Sequence, residues 1–182
     1  VRENDKNWLE ENVSNEVRRN LVYALERIAY VSVDAFTDVA KSLLILSSAE
    51  NESFSNNSTG AFLQLFHILL SGTNAQLSIR AEIFEKNYTN HEYTEIIIRA
   101  IDSAFKSRDF TWFDTSGISQ SRIEADNHYN PTFKEIHDYW NRCADILISI
   151  SNSTNDFDAK IMEIINRHIS DYYDLNDIQI LT

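Results

Sequence analysis

Glycine and proline are nearly missing from this chain: three glycines and one proline in 182 residues, where globular proteins average about 7% and 5%. A P-loop needs GxxxxGK and a dinucleotide fold needs GxGxxG, because the backbone must approach the phosphates without a Cβ in the way. Gly60, Gly72 and Gly117 are too far apart for either pattern. All-β sandwiches and barrels also need turn glycines at close intervals. What remains is a mainly helical protein.

Apolar period bears this out along the chain. Val17, Leu21, Leu25 and Ile28 predict a helix from about Asn15 to Tyr30, and Ser32 and Asp34 open a second that carries Val33, Phe36, Ala40, Leu43 and Leu44 to about Ala49. Residues 50–59 read as a polar loop. Phe62, Leu63, Leu65, Phe66, Ile68, Leu69 and Leu70 follow, apolar almost all round, which predicts a central helix covered on most sides and ended by Gly72 in the left-handed conformation. A fourth helix spans about Leu77 to Tyr88, and Asn90 caps a fifth that includes Ile96, Ile97 and Ile98. Pro131 suits the first turn of the next helix, with the stripe Phe133, Ile136, Trp140, Cys143, Leu147 and Ile150. Asp156 caps the last, which carries Phe157, Ile161, Ile164, Ile165, His168 and Tyr172 before an acidic tail. The expected fold is all-α: one domain of about seven helices in antiparallel hairpins, an irregular array or an orthogonal bundle.

Charge narrows the partners. Twenty-eight acids against 16 Lys and Arg give a net charge of -12. Nucleic-acid binding depends on cations that displace counterions from phosphate, and anionic membranes select cations too, so neither is expected as a partner. Cys143 is the only cysteine and no signal-peptide pattern opens the chain, which points to a reducing, cytoplasmic setting. Val1 in place of methionine reads as a processed start or as the edge of a longer chain.

No motif for catalysis, metal or cofactor emerges, and none of the three is expected. His67 and His168 sit among apolar residues and read as core histidines, and Cys143 reads as a small buried hydrophobe. His128 and His137, with Glu124, Asp126 and Glu135, match no metal-ligand spacing. The long irregular segment 107–131 is too aromatic for a free linker, and long loops in compact domains are often functional. Arg108, Phe110, Trp112, Arg122 and Tyr129 in it combine residue types that dominate interface energies, so they form the candidate partner-binding surface, or else they seal the core. Asn56, Asn57 and Thr59 form a candidate polar ligand loop, or a capped turn.

The helical spacing Leu25-x-x-Ile28-Ala29 followed by Leu43-Leu44-x-Leu46-x-x-Ala49-Glu50 resembles HEAT or armadillo-like repeats over about the first 110 residues, although no clean period repeats. The resemblance implies a non-enzymatic interaction or sensing module with a protein partner, of the kind found in large bacterial sensor and defence proteins. Arg122 and His128 fit the R-x(4-6)-H pattern of HEPN ribonucleases, which implies a helical nuclease as the alternative. A self-assembling scaffold is the third reading.

Overall fold

The computed structural model describes residues 15–49, 57–68, 71–106 and 129–180, with backbone alone at 15 and 174–180. The described residues form seven α-helices and no strand, so the fold is all-α: α1 (Asn15–Val31), α2 (Phe36–Ser48), α3 (Ser58–Gln64), α4 (Leu77–Asn87), α5 (His91–Ala104), α6 (Phe133–Ser153) and α7 (Asp158–Ile180). A single 3-10 turn, Asn155–Phe157, joins the last two.

Several helices start where short polar side chains satisfy the first free amides. The Asn57 side chain accepts from the Gly60 amide at 2.8 Å, and Asn90 accepts from Glu92 at 3.1 Å. At α6 a reciprocal capping box forms, in which Thr132 Oγ1 accepts from the Glu135 amide and Glu135 Oε2 accepts from the Thr132 amide. Pro131 therefore precedes the cap instead of occupying the first helical turn. The expected Asp156 cap is also replaced: Thr154 caps the 3-10 turn and α7 begins at Asp158. The acidic tail is helical through Ile180.

The core gathers on α2, which touches α1, α3, α4 and α5, while α6 packs on α4, α5 and α7. Phe36, Phe62, Phe66, Phe84 and Tyr139 form a continuous aromatic chain, with centroids 4.3 Å apart at Phe66–Phe84 and 4.8 Å at Phe62–Phe66. Its polar atoms are satisfied as burial requires. The Trp140 indole donates to the Ala104 carbonyl at 2.9 Å, and the Tyr139 hydroxyl donates to the Phe66 carbonyl at 3.2 Å. Ile96, Ile97 and Ile98 are buried on α5, a helix and not a strand.

Two larger expectations from the sequence fail. The helix after residue 58 does not run to Gly72; α3 ends at Gln64, and the amides of Leu65, Phe66 and His67 turn back to carbonyls three residues earlier. Leu65, Phe66 and Ile68 remain buried beyond the helix end, where the Phe66 carbonyl accepts from the Tyr139 hydroxyl and the His67 carbonyl from Arg80. That guanidinium is fully buried and donates to the carbonyls of Ala75 (2.8 Å), His67 (2.6 Å) and Thr73 (3.2 Å). Gly72 does adopt φ 71, and a Cβ there would collide with the Tyr30 ring.

The second failure is the direction of α1. Its buried face is Arg18, Val22, Glu26 and Ala29, with Leu25 half-buried, and Val17, Leu21 and Ile28 face outward. The small Val22 and Ala29 suit a close approach to α2, and Arg18 Nη1 donates at 3.1 Å to the Ala49 carbonyl at the end of α2, where helix carbonyls lack internal partners. Val33 and Phe133, expected on buried stripes, are also exposed.

Candidate functional site

Among the residues singled out from sequence, Arg108, Phe110, Trp112, Arg122, Asn56, Glu124, Asp126 and His128 lie outside the described residues. Tyr129 is a stitch between segments. Its amide donates to Asn74 Oδ1 at 2.9 Å, and its hydroxyl donates to Glu135 Oε1 at 3.0 Å and accepts from the Leu77 amide at 3.4 Å. Its ring centroid lies 5.7 Å from the Arg80 guanidinium carbon. Asn57 is occupied as the α3 cap, and Thr59 is buried.

The titratable groups read as structural. Burial, then the positive charges of Lys106 and Arg80, lower the pKa of His67 to about 4 and keep it neutral. Burial pushes the Cys143 thiol well up, which leaves it unreactive. The densest ionic group joins α5 to α7: Asp102 Oδ1 lies 2.8 Å from His168 Nε2, and Arg167 Nη1 reaches both oxygens of Asp102 at 3.0 and 2.9 Å. Burial opposes ionisation of Asp102, but the hydrogen bond to His168 and the Arg167 charge outweigh it and hold the carboxyl below its ordinary value. His137, paired with Asn141 at 3.1 Å, belongs to an aromatic group with Trp140 and Tyr172. Among the described residues no group of three or more His, Cys, Asp or Glu is placed to hold a metal.

The outward face of α1 is different, because it is apolar yet exposed. Val17, Leu21, Ile28 and Val31 are 55%, 43%, 42% and 81% exposed, and Ala24 is exposed between them. At about 100° per residue these five positions fall within roughly 80° of arc. Their spacing of four, three, four and three is the heptad seam by which one helix accepts another. Single exposed apolar residues need no explanation, but a contiguous apolar row on one helix is a candidate contact surface. α1 is also the only described helix with more cations than acids, Arg18, Arg19 and Arg27 against Glu16 and Glu26. Sequence reading finds this stripe through its period and assigns it to the core; only the packing shows that it faces out.

No known protein family, curated protein or solved structure matches the chain. Among the described residues no helix is long and apolar enough to cross a membrane.

Proposed function

We propose that this chain is a non-enzymatic interaction module whose protein partner lays a helix along the outward face of α1. The observation that carries the reading is the exposed seam Val17, Leu21, Ala24, Ile28 and Val31 on a helix whose other side is fastened to the core. Helix-in-groove recognition reads apolar anchors at this spacing. The sequence resemblance to HEAT or armadillo-like repeats supports the reading as analogy.

The test is photocrosslinking in cells of the source organism, with a photoreactive residue at position 24 and, as a control, at the exposed Met162 of α7. A discrete adduct from position 24, lost when Leu21→Glu is added and absent from position 162, is expected. A featureless smear from position 24, or an adduct indifferent to Leu21→Glu, sinks the proposal.

A further inference from the structure

We infer that the partner seated on α1 is a second copy of this chain, docked antiparallel about a two-fold axis. The inference rests on the docking role proposed above and adds the identity of the occupant. The seam has nearly the same four-three spacing in both directions, so it is complementary to its own reverse. One register sets Leu21 against Ala24 of the second copy and Val17 against Ile28 of the second copy. Large side chains then meet small ones at the centre, as close helix packing prefers.

The flanking charges select the orientation. Glu16 and Arg27 lie on the same edge of the stripe, about 20° apart on the helical wheel, and both are exposed. The opposite edge, Arg18 and Leu25, is turned into the body of the protein. An antiparallel pair brings the free edge against its own counterpart, and in the register above Glu16 comes within about two residues of Arg27 of the second copy, twice over by symmetry. A parallel pair would set that edge against the occupied one. Exposed ion pairs add little affinity, but they fix orientation.

Size sets the strength. A stripe on a 17-residue helix offers about half of the roughly 800 Å² per partner typical of stable complexes, and the net charge of -12 on each copy opposes approach. The pairing is therefore weak and rapidly exchanging, with a Kd on the order of 100 μM at about 0.15 M salt.

Sedimentation equilibrium of the full chain from about 10 μM to about 1 mM tests this. The expected result is a monomer–dimer equilibrium weakened at least about tenfold by Leu21→Glu, about two- to threefold by Glu16→Arg or Arg27→Glu alone, and restored when the two swaps are combined. A strictly monomeric chain, a mass that grows beyond two copies, or a dimer indifferent to Leu21→Glu overturns the inference. The two proposals fail separately: a monomeric chain whose position 24 crosslinks to a different protein keeps the docking face and removes self-pairing. Circular dichroism of each variant checks that it has folded.

Discussion

Replacing Arg80 with methionine tests the device that lets the chain leave α3 early without losing its core. The guanidinium donates three hydrogen bonds, at 2.8, 2.6 and 3.2 Å, to carbonyls of a non-helical segment. Hydrogen bonds to a charged group contribute about 1.5–3 kcal/mol each, and a buried carbonyl left unpaired costs about 1–3 kcal/mol. Against that, removing the cation recovers several kcal/mol of desolvation, which is large here because burial has lowered the pKa of this arginine to about 10. The net expectation is a loss of about 3–5 kcal/mol, close to that for breaking a buried charge cluster. For a domain of this length that lowers Tm by roughly 10 °C. Urea unfolding followed by circular dichroism measures it. Arg80→Lys keeps the charge but not the planar fork, so it should still lose about 2 kcal/mol. If Arg80→Met unfolds within about 1 kcal/mol of the parent, the carbonyls are satisfied by other means and the account of this segment is wrong.

Arg18 is the counter-case: it is 7% exposed, but among the described residues only Nη1 has a partner, and Nε and Nη2 are buried with no hydrogen bond. Arg18→Met should therefore change stability by less than about 1 kcal/mol or raise it, and a loss near that of Arg80→Met in the same urea series would contradict this. His67 makes stability depend on pH. The unfolded chain takes up its proton near pH 6.5 and the folded chain only near 4, so stability present above pH 6.5 is lost as pH falls through that window, by up to about 3 kcal/mol. The urea midpoints of wild type and His67→Gln should converge between pH 7 and pH 4.5, and parallel pH curves would show that His67 is not the titrating group. Gly72→Ala should lose about 1–3 kcal/mol, from the positive φ and from the contact with Tyr30. Adding Tyr30→Ala to both sides of that comparison should relieve the contact and leave about 1 kcal/mol, whereas an unchanged cost would place the whole effect in the backbone.

Period and capping made much of the fold legible. α4 and α5 lie where the sequence places them, α7 buries Ile161, Ile164 and His168 of its stripe, Asn90 caps α5 as its type and place suggest, and Trp140, Cys143, Leu147 and Ile150 are buried as spaced. Where the reading failed, a tertiary partner decided. Nothing local in Phe62 to Ile68 ends a helix; the carbonyls of Phe66 and His67 are held by Tyr139 and Arg80, which lie beyond them in sequence. The α1 pattern fixes the width and period of an apolar stripe, but not which side of the helix meets a neighbour. Val22 and Ala29 are small, and Arg18 reaches the end of α2, so the polar-looking face is the one that packs. The candidate site was therefore visible as spacing and invisible as a surface. Tyr129 reads in the sequence as part of a partner-binding surface or of a seal on the core, and its partners Asn74, Leu77 and Glu135 could not be read there, because two of them lie more than fifty residues away.

Whether the α1 stripe serves docking or folding is read from the unfolding free energy of Leu21→Glu/Ile28→Glu. Both side chains are more than two-fifths exposed, so in urea unfolding at about 5 μM, where self-pairing is negligible, the double variant should lie within about 0.5 kcal/mol of the parent. A loss of about 3 kcal/mol or more, the scale of charges forced into a packed core, would mean that these residues are packed within the chain itself, and the docking face would not exist.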